Sequence, residues 1–123
     1  YTDGYIVLFE QDFKRNYIHI RDIADCFIHS MKNFDAMKGR PYNVGLDDAN
    51  LSKAELAEEV KKFIPNFYIH YGEIGEDPDK RNYIVSNQRL REAGFEAKRS
   101  IPCGIEELLK GYSMLGRAPF KNI

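Results

Sequence analysis

The sequence has few of the residues that disulfide scaffolds, zinc sites and membrane spans require. It contains only two cysteines, Cys26 and Cys103, without a CxxC or Cys/His ligand spacing, so neither a disulfide framework nor a zinc site is indicated. We interpret both as reduced thiols in the core, because free cysteine is usually buried. No apolar run approaches the roughly 20 residues of a membrane span, and no signal-peptide pattern opens the sequence. We therefore expect a cytoplasmic location.

A charge excess of either sign is also missing. Eighteen Lys and Arg against nineteen Asp and Glu leave a net charge of -1, so no overall field attracts nucleic acid or an anionic membrane. We expect neither as a partner, and any anion site must be local. The 123 residues, 43% hydrophobic and 30% charged, suit one globular unit.

The motifs of common catalytic and cofactor sites are absent as well. The nine glycines never occur as GxG, which excludes the dinucleotide-binding fingerprint from these residues. GxxxxGK[ST], HExxH and GxSxG do not occur, and no tyrosine is followed four residues later by lysine. Each of the three isolated histidines is interpreted as a packed or surface residue rather than a metal ligand. They are His19, His29 and His70.

An acidic group in the second half of the chain could suggest a carboxylate pair or a calcium site. Its spacing does not match an EF-hand loop, and two cations, Lys80 and Arg81, follow it directly. We interpret the group as part of a solvated loop. Its members are Glu73, Glu76, Asp77 and Asp79.

Short strands and amphipathic helices are indicated along the chain. Segments rich in β-branched and aromatic residues predict strands at 5–9, 17–20, 42–44 and 67–71, with a short extended piece at 83–85. Apolar residues at steps of three and four predict four helices. The signals for their starts are Asp22 as a cap or first-turn carboxylate, the capping box formed by Ser52 and Glu55, Ser86 as a cap, and Pro102 in a first turn.

Several motifs occur in a recognisable order. They are RNYIHIRDIAD at 15–25, PYNVG at 41–45, LSKAEL at 51–56, DPDKRNY at 77–83, and AGF at 93–95 before the last helix. Together they resemble the C-terminal part of the extended short-chain dehydrogenase/reductases, the family of NAD-dependent nucleotide-sugar epimerases and dehydratases. The resemblance covers about residues 5 to 115.

The resemblance implies an α/β fold, the C-terminal part of a Rossmann-type epimerase or dehydratase with short strands and about four helices. Residues 1–123 would form a single fragment: 5–45 would complete a cofactor domain, 46–115 would build mainly the substrate-binding lobe, and 116–123 would be a tail. The glycine-rich half of the family is not in the sequence, which begins at Tyr1 rather than at methionine. We therefore expect a detached portion whose apolar faces are covered by the missing N-terminal half or by a second copy, as a homo-oligomer.

The resemblance also implies substrate-binding residues. The arginine that opens the family's RxYIHxxDxA motif contacts the diphosphate of the nucleotide sugar, and Arg15 occupies this position. A guanidinium suits such a role because its planar fork matches phosphate oxygens; the alternative is a solvated arginine in a turn. Tyr83 matches an aromatic position of the late loop. Arg81 is displaced from the arginine of the family's Arg-Pro-Gly-Asp pattern, and Lys80 is a weaker candidate.

The implied function is the nucleotide-sugar-binding portion of an NAD(P)-dependent epimerase, dehydratase or reductase. The cofactor of the parent enzyme would be NAD or NADP, and we expect none to bind this chain alone. We also expect no catalysis by the chain alone, because the cofactor motif and the Tyr-xxx-Lys pair are not in it. The alternative is an independent, non-catalytic module that binds protein or carbohydrate.

Overall fold

The computed structural model describes residues 3–76 and 78–115. Asp77 and the predicted tail at 116–123 lie outside the described residues. The elements are β1 (Tyr5–Leu8), β2 (Lys14–Asn16), α1 (Ile20–Lys32), α2 (Phe34–Met37), β3 (Asn50–Ser52), α3 (Lys53–Phe63), β4 (Tyr68–Tyr71), α4 (Gln88–Glu92) and α5 (Ile101–Leu115). The described chain is thus a mixed α/β structure with five helices, one short helix more than the sequence predicts.

The strands of the described residues form two separate pairs. β1 and β4 are parallel, with Tyr5 opposite Tyr68 and Leu8 opposite Tyr71. β2 and β3 are antiparallel, with Arg15 opposite Leu51. The predicted strands at 5–9 and 67–71 are confirmed as β1 and β4, because their apolar and aromatic residues suit a pleated surface.

The predicted strand at 17–20 is wrong, since β2 ends at Asn16 and α1 begins at Ile20. The Tyr17 amide still donates to the Ala49 carbonyl at 3.0 Å, but the pairing goes no further. His19 is not a strand residue: its Nδ1 accepts a hydrogen bond from the Arg21 amide at 3.1 Å and caps α1. A capping side chain that satisfies a free amide of the first turn favours the helix over continued strand.

The predicted strand at 42–44 is also wrong, because the described residues offer its backbone no strand partner. The pattern instead reflects burial. Tyr42 and Val44 pack half-buried against a cluster of three buried residues, Cys26, Met37 and Leu90.

The core is divided into small clusters. A second cluster contains Leu46, Ala49 and Ala97. Both cysteines are free, with Cys26 buried and Cys103 only half-buried. No helix in the described part of the chain is long and apolar enough to span a bilayer.

Much of the apolar surface of α1 is exposed. Cys26 is buried, but Phe27 and Met31 are each 68% exposed, and Ile20 on the same side is more exposed still. Leu108 and Tyr112 of α5 are also exposed. Contiguous exposed apolar surface usually marks an interface.

The predicted capping box is confirmed at the start of α3. The Ser52 hydroxyl accepts from the Glu55 amide at 3.1 Å, and the Glu55 carboxylate accepts from the Ser52 amide at 2.6 Å. The hydrogen bond from the Ser52 backbone holds the pKa of Glu55 below its usual value. Because the cap also joins α3 to β3, it fixes the helix next to the strand that pairs with β2.

Removal of this cap should weaken the fold measurably. We expect Ser52→Ala to lower the free energy of unfolding by about 1 kcal/mol, since the Glu55 amide loses its partner. Urea denaturation followed by circular dichroism measures the change. Ser30→Ala is the matched control, because the Ser30 hydroxyl donates back to the Cys26 carbonyl within α1 and alanine favours the helix. Equal losses for the two variants would contradict a capping role for Ser52.

Candidate functional site

Arg15 lies in the middle of β2 with a side chain that is only 12% exposed. Its Nη2 donates to the Asp79 carbonyl at 2.7 Å and lies 3.4 Å from Asp79 Oδ1, while Nη1 donates to the Lys14 carbonyl at 2.9 Å. Arg15 is therefore a largely covered strand residue and not an arginine in a solvated turn.

Tyr83 lies against the Arg15 guanidinium, whose Cζ is 5.6 Å from the centre of the tyrosine ring. Segment 82–83 runs along β2 and brings the ring to this place. The Lys14 amide donates to Asn82 Oδ1 at 2.9 Å, and the Tyr83 amide donates to the Lys14 carbonyl at 3.3 Å. The contact between the cation and the ring face keeps the guanidinium oriented.

Arg81 reaches the same place through Asp79. Its Nε and Nη2 donate to the two oxygens of the Asp79 carboxylate, both at 2.6 Å. These hydrogen bonds, with a smaller contribution from Arg15, hold the pKa of Asp79 far below its usual range. Lys80, the weaker candidate, pairs instead with Glu76, and both side chains are exposed.

Tyr17 completes what we call the arginine cluster: Arg15, Tyr17, Asp79, Arg81 and Tyr83. Burial raises the pKa of Tyr17, Arg15 acts in the opposite direction, and Tyr83 adds to the rise. The sequence interpretation did not name Tyr17 or Asp79 as site residues. The available signal for Tyr17 was its place two residues after Arg15 in the same motif, RNYIHIRDIAD at 15–25.

The loop that carries Asp79 and Arg81 is fixed on both sides. At Gly72 and Gly75 a Cβ would lie 2.3 Å and 2.7 Å from Phe9 Cε1, so a larger residue at either position would require the Phe9 ring to move. Gly75 also has a φ of 127°, which other residues rarely adopt. On the other side, the Asn50 amide group exchanges two hydrogen bonds with the Val85 backbone.

The chemistry of the cluster is suited to binding an anion. Two guanidinium groups outnumber one carboxylate, and planar donors match carboxylate or phosphate oxygens. Among the described residues, no group of three or more His, Cys, Asp or Glu side chains could hold a metal ion.

Comparison with known proteins identifies the fold. No family model matches the chain. L-threonine dehydrogenase from Phytophthora infestans superimposes with a TM-score of 0.77 at 14% identity, over 90% of this chain and 37% of that one. A GDP-6-OMe-4-keto-L-xylo-heptose reductase from C. jejuni superimposes with a TM-score of 0.75 at 21% identity, over 91% of this chain and 34% of that one. A GDP-D-glycero-L-gluco-heptose synthase from Campylobacter jejuni was solved in the presence of NADPH. It superimposes with a TM-score of 0.70 at 20% identity, over 89% of this chain and 33% of that one.

The chain has the fold of the C-terminal part of Rossmann-type reductases and epimerases. The resemblance found in the sequence is confirmed at this level. The chain spans about a third of the length of the structures it matches.

Within this fold, a buried ion pair fixes α1, the helix that follows β2. Asp22 lies in the first turn of α1, as predicted, and its side chain is 3% exposed. It accepts from Arg99 Nη1 at 2.6 Å and from the Arg99 amide at 2.9 Å. Arg99 Nη1 also donates to Asp25 at 2.8 Å. The contacts tie α1 to the segment before α5.

Proposed function

We propose that this chain is the nucleotide-sugar-binding portion of an NAD(P)-dependent enzyme with the short-chain dehydrogenase/reductase fold. One observation carries the proposal: three residues assigned to substrate binding by resemblance, Arg15, Arg81 and Tyr83, meet in one cluster although Arg15 is far from the others in sequence. Two of the similar structures are described as acting on or making GDP-linked sugars.

The role of the cluster follows from charge and shape. Arg15 and Arg81 would donate to the diphosphate, each as a charge-assisted hydrogen-bond donor. The Tyr83 ring would flank the same diphosphate or its nucleoside. Because these contacts lie on the nucleotide rather than on the sugar, they would set affinity and placement of the substrate.

The hydride chemistry would belong to the rest of the enzyme. A bound nicotinamide would exchange a hydride with a sugar carbon, and one of the similar structures was solved with NADPH. The present residues do not provide a cradle for that cofactor, because no glycine-rich turn occurs among them. We therefore propose that this chain holds the substrate and does not catalyse alone.

The exposed apolar faces fit such a division of the enzyme. Ile20, Phe27 and Met31 on α1 would contact the remainder of the longer protein, since the similar structures are about three times as long. No observation favours the alternative of an independent protein- or carbohydrate-binding module.

The proposal predicts a preference for nucleoside diphosphates over monophosphates. We expect the purified chain to bind GDP or UDP at least about tenfold more tightly than the matching monophosphate, because one further charge-assisted contact contributes roughly 1.5–3 kcal/mol. Isothermal titration calorimetry measures the four affinities. If neither diphosphate binds more tightly than its monophosphate, the cluster does not bind the diphosphate group selectively and the proposed function is wrong.

A further inference from the structure

Asp79 occupies the donors on which an anion site in the arginine cluster would depend. Its Oδ1 accepts from Arg81 Nε at 2.6 Å and from the Arg81 amide at 3.2 Å, and its Oδ2 accepts from Arg81 Nη2 at 2.6 Å. Oδ1 also lies 3.4 Å from Arg15 Nη2. Asp79 therefore takes the Nε–Nη2 edge of the Arg81 guanidinium and partly satisfies Arg15.

The carboxylate and a phosphate group would compete for the same places. Both present two oxygens in a plane to a guanidinium, and both form bidentate pairs with arginine. Two anions cannot share these donors without strong repulsion, because like charges at this distance disfavour one another.

Asp79 is also placed so that a ligand could displace it. Its side chain is 40% exposed, so solvent and solutes reach it directly. Arg15 would keep its hydrogen bonds to the Lys14 and Asp79 carbonyls after the Asp79 carboxylate leaves. Arg15 is thus held on β2 by contacts to backbone carbonyls that do not involve the carboxylate.

We propose that Asp79 is an internal competitor of the anionic ligand: its carboxylate takes the positions of phosphate oxygens on the Nε–Nη2 edge of Arg81 and on Arg15 Nη2, and a diphosphate must displace it to bind at these donors. The inference rests on the proposed function for the identity of the anion. The consequence is selectivity, because a weakly charged anion cannot replace the carboxylate whereas a diphosphate carries enough charge to do so.

Mild acid should not remove this competition. Hydrogen bonds from Arg81 keep the pKa of Asp79 far below its usual range, so the carboxylate stays charged at ordinary assay pH. The negative charge of Asp79 must therefore be removed by substitution rather than by protonation. A role for Asp79 in merely positioning Arg81 makes the opposite prediction, since its loss would then weaken anion binding.

The test is titration of the purified chain with inorganic pyrophosphate at pH 8. Asp79→Asn keeps the size of the side chain and removes its charge, so we expect it to bind pyrophosphate about tenfold more tightly than the unmodified chain. Glu76→Gln is the matched control. It removes one negative charge from the same loop, as Asp79→Asn does, but Glu76 pairs with the exposed Lys80 outside the cluster. We therefore expect the affinity for pyrophosphate to change by less than about twofold.

A double variant links the gain to the cluster. Adding Arg15→Ala to Asp79→Asn should abolish the tighter binding, with circular dichroism confirming that each variant keeps the fold. Unchanged or weaker pyrophosphate binding by Asp79→Asn, or an equal gain from Glu76→Gln, overturns the inference.

The outcomes also separate this inference from the proposed function. If Asp79→Asn fails to gain affinity while GDP or UDP still outbinds its monophosphate, Asp79 is a positioning residue and the proposed function stands. If Asp79→Asn gains affinity for pyrophosphate but no nucleoside diphosphate is preferred, the competition is real and the site belongs to another anion.

Discussion

Replacement of Asp22 by asparagine is expected to lower the free energy of unfolding by about 2–4 kcal/mol. The Asp22 side chain is almost fully buried and accepts from both the amide and the guanidinium of Arg99. Asparagine has one acceptor oxygen and no charge, so one of these donors would face an NH₂ group. Urea denaturation at neutral pH measures the loss.

Asp25→Asn is the matched control for this prediction. The Asp25 carboxylate contacts the same Arg99 Nη1, but its side chain is 50% exposed. Pairs at such exposure contribute about 1 kcal/mol or less, because water screens the charge and replaces the lost contact. Equal losses of unfolding free energy for Asp22→Asn and Asp25→Asn would show that the buried contact of Asp22 with Arg99 stabilises the fold no more than the exposed contact of Asp25.

Features with a local cause could be predicted from the sequence. The capping box at Ser52 and Glu55 depends on residues three apart, and β1 and β4 carry the apolar and aromatic residues typical of strands. Gly94, with a φ of 86°, follows the C-cap of α4 and ends that helix through its own local conformation.

Features that depend on a distant partner could not be predicted in this way. Residues 17–20 have a strand pattern, yet β3 offers partners only to Lys14, Arg15 and Asn16. Where the pairing ends, the His19 cap decides for a helix. Tyr42 and Val44 likewise show the composition of a strand because they are packed, not because their backbone is paired.

The candidate site shows the same division. Arg15, Arg81 and Tyr83 were assigned through the family resemblance, and the structure places them together. The position of Asp79 between two arginines depends on how residues 72–76 and 78–82 lie against Phe9 and β2. The Asp22–Arg99 pair joins residues 77 positions apart, and nothing near either residue in the sequence indicates it.

The largest functional effect is expected for Arg15. Under the proposed function, Arg15→Ala in the longer protein should raise the KM for the nucleotide sugar by roughly tenfold to a hundredfold, since a charge-assisted contact to phosphate contributes on the order of 1.5–3 kcal/mol. If the contact is equally strong in the ground state and the transition state, kcat changes little. Steady-state kinetics separate the two parameters.

Two further variants show whether the geometry of Arg15 matters as well as its charge. Arg15→Lys should recover only part of the lost affinity, because an ammonium keeps the charge but cannot form two parallel hydrogen bonds to phosphate. Arg89→Ala is the control, as this exposed arginine of α4 contacts the Pro41 carbonyl outside the cluster. An unchanged KM in Arg15→Ala, with a native circular dichroism spectrum, would limit Arg15 to holding Asp79 and Tyr83 against β2. Full recovery of the KM in Arg15→Lys would mean that only the positive charge at this position matters for binding. The pairing of a planar guanidinium with phosphate would then not explain the arginine at the centre of β2.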